Sequence, residues 1–356
     1  MKLQLTLGES FAPDTGPYLR DRDGKKYLDF TSGGGCFPMG YDPIQTGDCQ
    51  VFSTREDLER LSENISHLSG GHFSFYFFNE FSEALSFFSL QISDTFNRKS
   101  VVSFDRHVSS LMAGTFHFQP WNCGSCKEGP DITSCSKACL FHFDEFLDNW
   151  CETSSQTAVC GEYFRSTPLS LLPDAYPEHL HKENIFWAVW EPHQAFLRLG
   201  TLFSFENSAS QPSMVLGGSN WANGLPFFLV GIPKNIGPRK LSRNNVLIPK
   251  VTLLQVEKNL MQLSSDELKD KINFFSNKLN RLKDCDIKSL NTLGMYAVIE
   301  LKSDIVEKVL QKSTSFGIVF RWDRFRRGIV LSPPLTATTD EISQGVEILR
   351  EILIKF

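Results

Sequence analysis

Four cysteines lie within a short stretch of this 356-residue chain and could bind a metal ion. Two residues separate Cys123 from Cys126, and three residues separate Cys135 from Cys139. Thiolates at such spacings suit the tetrahedral coordination of Zn²⁺. The eight residues between the two pairs are fewer than common zinc ribbons have, and an iron–sulfur cluster fits less well still. The cysteines are a candidate zinc site, and the alternative is a group of separate reduced thiols.

Two histidines and a glutamate are further candidates for chemistry. His107, His193 and Glu191 carry side chains of the types that serve as general acids and bases. Single residues of these types more often have a structural role than a catalytic one. Acid–base catalysis therefore stays open as an alternative for these three residues.

The elements that would position these residues alternate along the first two thirds of the chain. A hairpin is predicted over residues 17–30, with Asp23–Gly24 as its turn. Helices are predicted at 54–68, capped by Thr54, and at 82–96, with Ser82 near the cap. Strands separated by helices indicate a mostly parallel sheet with crossover connections. The predicted strands are 101–104, 157–160, 185–190 and 227–230.

The last hundred residues have a different pattern. A long charge-rich helix is predicted over 253–282, followed by a strand at 295–301 and a helix at 305–313. Strands around 317–331 and a final helix from Asp340 complete an α+β arrangement.

The composition excludes some classes of function. The net charge of −5 and the pI of about 5.9 argue against a nucleic-acid interface. Apolar stretches such as 225–232 are too short to span a bilayer, and the first six residues have no apolar signal core. We therefore expect a cytoplasmic protein with mostly reduced thiols and no membrane partner.

Several short motifs follow one another in a fixed order, and together they resemble the class III aminotransferases. These are pyridoxal phosphate (PLP) enzymes of fold type I. The resemblance implies an α/β fold, in which a large, doubly wound, mostly parallel sheet domain accompanies a smaller α+β domain. It implies that residues 1–45 join the small domain, that 46–250 form the large domain, and that 251–356 form the small one. The motifs lie at 21–30, 39–43, 82–84, 198–203, 224–226 and 331–342.

The residue that the family uses for its chemistry is absent. The segment Gly217–Pro226 resembles the family's motif around the Schiff-base lysine, and Ser219 stands in place of that lysine. A hydroxyl group cannot form an imine with PLP. Trp190, 29 residues earlier, stands where the family has the aspartate that pairs with the pyridine nitrogen. In a second alignment, Glu191–Gln194 resembles an earlier strand end of the family, but neither alignment puts a lysine at Ser219.

Other cofactor contacts of the family also differ here. Glu80 and Phe81 replace the Ser-Gly pair of the phosphate loop, which otherwise continues with Ser82. A carboxylate and a phenyl ring would repel and obstruct an anion there. His107 is retained without the neighbouring aromatic residue that stacks on PLP, and His193 lies near the substituted aspartate position. We expect Phe81 and Trp190 to fill the space that the cofactor ring would occupy.

Arginines near the C-terminal motif could bind a substrate. In the family, an arginine in this region grips the substrate carboxylate through a bidentate fork, and Arg321 or Arg324 is the candidate here. The alternative is a solvated basic strand.

These observations predict a pseudoenzyme that does not bind PLP covalently and serves as a binding or partner subunit. The family forms dimers, so the resemblance implies a homodimer or a heterodimer with an active paralogue. One alternative is an enzyme that acts on an amino or keto acid with PLP or its amine form held non-covalently. The other is a metal-binding protein that uses the cysteines.

Overall fold

The computed structural model describes thirteen segments of the chain, which form four β-sheets with helices packed around them. The described residues are 3–6, 9–41, 51–105, 110–112, 114–119, 138–151, 153–166, 169–191, 195–237, 247–261, 265–302, 305–323 and 328–356. Within these ranges, no helix is long and apolar enough to cross a bilayer.

The described strands and helices are numbered in chain order. The strands are β1 Leu3–Thr6, β2 Glu9–Pro13, β3 Tyr18–Arg20, β4 Lys26–Asp29, β5 Phe73–Phe78, β6 Ser100–Ser103, β7 Thr115–His117, β8 Thr157–Glu162, β9 Phe164–Ser166, β10 Leu169–Leu171, β11 Phe186–Trp190, β12 Met214–Gly217, β13 Phe228–Pro233, β14 Ser289–Leu293, β15 Tyr296–Glu300, β16 Ile318–Val319, β17 Arg321–Asp323 and β18 Gly328–Leu331. The α-helices are α1 Arg55–Leu68, α2 Phe81–Leu90, α3 Ala138–Trp150, α4 Ala175–Lys182, α5 Lys250–Met261, α6 Ser265–Leu279, α7 Val306–Ser315 and α8 Thr339–Leu353.

The largest sheet has seven strands in the order β5-β13-β12-β11-β8-β6-β7. The pairings from β12 to β7 are parallel, and only β13 runs antiparallel to both of its neighbours. The predicted mostly parallel sheet is therefore confirmed. Three of its strands, β5, β7 and β12, were not expected from the sequence.

Both faces of this sheet are covered, as a doubly wound fold requires. On one face, alternate residues such as Ala188 and Leu216 pack with the buried side of α2. On the other face, their neighbours Val189 and Val215 pack in the main core with α1, α3 and α4. Phenylalanine is frequent in both clusters, which accounts for many of the chain's 31 Phe residues.

The helix boundaries follow local capping. Helix α1 begins after Thr54, whose side chain accepts a hydrogen bond from the Asp57 amide while the Asp57 carboxylate accepts one from the Thr54 amide, which confirms the predicted cap. Helix α2 begins at Phe81 after the N-cap residue Glu80, so Ser82 lies near the cap, as expected. It ends at Leu90 and continues as a π-helical turn, Gln91–Thr95.

The C-terminal part contains the four-stranded antiparallel sheet β14-β15-β18-β17. The single helix predicted over 253–282 is two described helices, α5 and α6, with a 3₁₀ turn at Asn280–Asp284. The predicted hairpin is confirmed as the antiparallel pair β3 and β4. Strand β4 also pairs in parallel with β16, which joins the N-terminal segment to the C-terminal part. The division of the chain at residues 45 and 250 stays a prediction.

Candidate functional site

Three of the predicted positions lie at one edge of the seven-stranded sheet. Trp190 is the last residue of β11 and pairs with Leu216 of β12. Strand β12 then leads into the 3₁₀ helix Ser219–Ala222. Strand β5 runs in the same direction and leads into α2 at Phe81. In open α/β sheets, the carboxyl ends of parallel strands are where ligands bind.

Three aromatic side chains meet at this edge, and we call them the aromatic cluster: Phe81, Trp190 and Phe228. The ring centroids of Phe81 and Trp190 are 5.1 Å apart, and those of Phe81 and Phe228 are 5.5 Å apart. All three side chains are half-buried. The structure therefore brings together Phe81 and Trp190, as expected. The contribution of Phe228 was not foreseen, although it closely follows the Gly-Leu-Pro motif.

The amino end of α2 carries an acidic residue of its own. Glu80 is the N-cap residue, its side chain makes no capping hydrogen bond, and it is exposed. Because a helix N-terminus attracts negative charge, this carboxylate is favourably placed. Ser82 is also exposed, in the first turn of α2.

The structure describes the other predicted site residues only in part. The backbone of Ser219 opens a 3₁₀ helix, but its side chain is outside the described part of the structure. Cys139 lies on α3 as a half-buried free thiol. Among the described residues, no three His, Cys, Asp or Glu side chains form a group that could hold a metal ion. Six of the predicted site residues lie outside the described segments: His107, His193, Arg324, Cys123, Cys126 and Cys135.

The Arg321 side chain contacts other residues of its own chain. Its guanidinium donates to the Tyr296 hydroxyl and, at 3.5 Å, to the carbonyl oxygen of Gly34. The guanidinium also lies over the Tyr296 ring, 5.9 Å from the ring centroid. Arg321 is half-buried, so it is not the fully solvated strand residue of the alternative interpretation.

Glu191 follows Trp190 and is buried. Its carboxylate accepts hydrogen bonds from the Ser204 amide at 3.0 and 3.1 Å, from Ser204 Oγ at 2.8 Å and from the Phe205 amide at 3.3 Å. It thereby caps the 3₁₀ helix Ser204–Asn207. Burial raises the pKa of this carboxyl to about 7, and the hydrogen bonds oppose that shift.

Arg198 joins three parts of the chain. The sequence motif that contains it did not predict the contacts that follow. Its guanidinium donates to Ser32 Oγ at 2.8 Å, to the Pro333 carbonyl at 2.8 Å and to the Met295 carbonyl at 3.2 Å. The side chain is almost fully buried. Burial lowers the pKa of Arg198 to about 10, which leaves it charged at neutral pH. Arg198 therefore holds the N-terminal loop and the C-terminal sheet against the loop after β11.

Comparison with known proteins identifies the class of fold. No protein-family model matches the chain. A 4-aminobutyrate aminotransferase of Mycobacterium leprae (strain TN) is 22% identical over 408 residues, which cover 96% of this chain and 90% of that protein. An acetylornithine aminotransferase of Streptococcus mutans serotype c is 22% identical over 372 residues, which cover 96% of this chain and 95% of that protein.

A solved structure supports the same class of fold as these two relatives. The taurine:2-oxoglutarate aminotransferase of Bifidobacterium kashiwanohense, solved in complex with PLP and glutamate, superposes with a TM-score of 0.82. The superposition covers 99% of this chain and 94% of that chain at 16% sequence identity. The chain thus has the fold type I architecture of the PLP-dependent transaminases. More narrowly, its fold is class III aminotransferase-like, as the motifs predicted.

Proposed function

We propose that this protein is a catalytically degenerate class III aminotransferase-like protein that acts as a binding or partner subunit. In this proposal it does not hold PLP through an imine. The resemblance to a dimeric family supports a homodimer or a heterodimer with an active paralogue as the assembly.

The aromatic cluster is the observation that carries the proposal. Phe81 and Trp190 are in direct ring contact, with 5.1 Å between their centroids. Two aromatic rings in direct contact already have a centroid separation of this size. No third ring therefore fits between Phe81 and Trp190. An indole at the end of β11 also provides no carboxylate to pair with a pyridine nitrogen. These residues do not fit PLP.

Two further features support the same conclusion. The exposed Glu80 carboxylate at the amino end of α2 would repel a phosphate group at the place where helix N-termini bind phosphates. The sequence has a serine, not a lysine, at position 219. Imine formation requires an amine, so the family's covalent chemistry has no nucleophile at this position.

The first prediction concerns cofactor binding. When the purified protein is mixed with an equimolar amount of PLP, we expect no imine absorbance band, because position 219 carries a hydroxyl group in place of the family's amine. Borohydride reduction followed by peptide mass spectrometry is expected to find no stoichiometric lysine adduct. An active class III aminotransferase treated in parallel serves as the positive control. A single lysine modified to near completion would contradict the proposal.

The second prediction tests whether the aromatic cluster has a structural role. Trp190→Asp is expected to lower the free energy of unfolding by about 2 kcal/mol, because a carboxyl group would replace an indole among apolar rings. Trp190→Phe keeps a ring beside Phe81 and is the matched control, with a loss below about 1 kcal/mol. Urea unfolding measures both. If Trp190→Asp instead kept its stability and bound PLP more tightly than the natural protein, the site would still be a cofactor site.

A further inference from the structure

A surface at the C-terminal end of α7 combines exposed aromatic rings with lysines. Phe316 and Phe356 are 41% and 43% exposed. The Lys355 ammonium lies 5.2 Å from the centroid of the Phe316 ring, and the Lys312 ammonium lies 4.3 Å from that of the Phe356 ring. The Lys25 ammonium, from the turn between β3 and β4, donates to the last two carbonyl oxygens of α7, each at 3.3 Å. We call these five residues the basic patch: Lys25, Lys312, Phe316, Lys355 and Phe356.

The three lysines of the basic patch form no ion pair with a carboxylate in the described part of the chain. Asp21 interacts electrostatically with Lys25, but its oxygens accept hydrogen bonds from the Lys25 amide and the Tyr27 hydroxyl. Glu351 precedes Lys355 by one helical turn, and no ion pair joins the two. Contacts with rings and carbonyl oxygens do not neutralise an ammonium group. The charges of the patch are therefore free to attract an anionic partner.

This charge differs in sign from that of the whole protein. The chain has 41 acidic and 36 basic residues and a net charge of −5, so a surface of unpaired lysines departs from the average. Charge of one sign on a surface selects a partner of the opposite sign. The exposed rings add apolar contact area of the kind that protein interfaces use. An uncharged apolar partner would bury the lysines unpaired, which is unfavourable.

We propose that the basic patch binds an acidic segment of a partner protein. Carboxylates of that segment pair with Lys25, Lys312 and Lys355, and an apolar side chain between them packs on Phe316 and Phe356. The inference rests on the proposed role as a partner subunit, and it names the chemistry of the partner. The patch is built from the β3–β4 turn, the end of α7 and the residues after α8, so none of its elements carries the aromatic cluster.

Fluorescence anisotropy of the full-length protein tests the basic patch. The probe is a fluorescein-labelled synthetic peptide in which six glutamates flank one leucine and one phenylalanine. We expect binding at low ionic strength that weakens as salt is added, because salt screens exposed charges. Lys312→Gln combined with Lys355→Gln is expected to raise the dissociation constant about tenfold, as for the loss of two exposed ion pairs.

Two controls separate the patch from general effects of charge. Lys182→Gln combined with Lys234→Gln removes two exposed lysines at the end of α4 and after β13, and this double variant is expected to bind the peptide as the natural protein does. A second peptide has serine in place of the leucine and the phenylalanine. We expect it to bind several-fold more weakly, because it cannot pack on the two rings.

Three outcomes would overturn the proposal. The first is no binding at millimolar peptide, and the second is an equal loss of affinity in the two double variants. The third is that phosphatidylserine vesicles, or a second copy of the chain in sedimentation, occupy the patch while the peptide does not. The unfolding midpoints of the variants verify that they fold. The reduction experiment with PLP tests the proposed function separately, so a missing peptide complex without a lysine adduct would contradict the basic patch alone.

Discussion

Replacing Arg198 by methionine is expected to lower the free energy of unfolding by about 3 kcal/mol. Methionine keeps the long apolar stem but removes every donor. Three acceptors, Ser32 Oγ and the carbonyls of Met295 and Pro333, would then lose the hydrogen bonds that Arg198 donates to them. Urea unfolding at pH 7 measures the change.

Two opposing effects decide the size of this loss. Burial of the guanidinium is unfavourable: it lowers the pKa of Arg198 from 12.5 to about 10, which corresponds to about 3 kcal/mol that the substitution would recover. Against this, each buried acceptor left unpaired costs about 1–3 kcal/mol. The three lost hydrogen bonds, two of them to carbonyl oxygens, together outweigh the recovered desolvation, although Ser32 Oγ keeps its bond to the Ser332 carbonyl, so the net change is destabilising.

The controls separate the contacts of Arg198 from arginine removal in general. Arg55→Met removes an exposed arginine that pairs with Glu59 on α1, and no change in the unfolding midpoint is expected. Arg198→Lys keeps the charge but has no guanidinium fork, and an intermediate loss is expected. Equal stability of Arg198→Met and the natural protein would show that the junction does not depend on these hydrogen bonds.

Gly294→Ala is expected to destabilise the same junction by about 4 kcal/mol. Gly294 lies between β14 and β15 with a φ of +59°, a left-handed conformation that side chains disfavour. A Cβ at this position would also collide with the carbonyl oxygen of Arg198, which accepts a hydrogen bond from the Met295 amide at 2.8 Å. Moving this hydrogen-bonded backbone oxygen aside would cost additional free energy.

Gly71→Ala is the matched control for this substitution. Gly71 has a φ of +83°, and a Cβ added there would meet no atom within 4 Å. We expect it to cost only the backbone strain, about 1 kcal/mol. Thermal or urea unfolding of both variants isolates the contact with Arg198. Similar losses in the two variants would mean that strain alone explains the effect at Gly294.

Much of the fold could be predicted from the sequence because local signals agree with it. The Asp-Gly turn predicted the β3–β4 hairpin, and Thr54 predicted the start of α1. The order of short motifs predicted the class III aminotransferase-like fold, which the structural comparison confirms.

The errors have physical causes. Strand β5, Phe73–Phe78, is aromatic except for Ser74, and an alternation this short does not separate a strand from a segment of a buried helix. Strand β12 has only four residues and follows a polar, serine-rich stretch. The division between α5 and α6 was missed because apolar and charged residues recur regularly through both.

The candidate site was only partly accessible to sequence reasoning. The loss of the lysine and aspartate of the family could be seen at Ser219 and Trp190, since each is a single position in an ordered motif. The contact of Phe228 with Phe81 depends on how β13 lies beside β5. The partners of Arg198 are about 100 or more residues away in the sequence, and no local pattern encodes them.

The parallel pairing of β4 with β16 has a consequence for synthesis on the ribosome. Leu28 pairs with Ile318, so roughly 290 residues must be translated before the first strand of the pair can meet the second. At about 5–20 residues per second, the N-terminal hairpin waits roughly 15–60 s for its neighbour. During that interval its apolar residues, Leu28 among them, are accessible to other nascent chains, which makes this segment a natural client for chaperones.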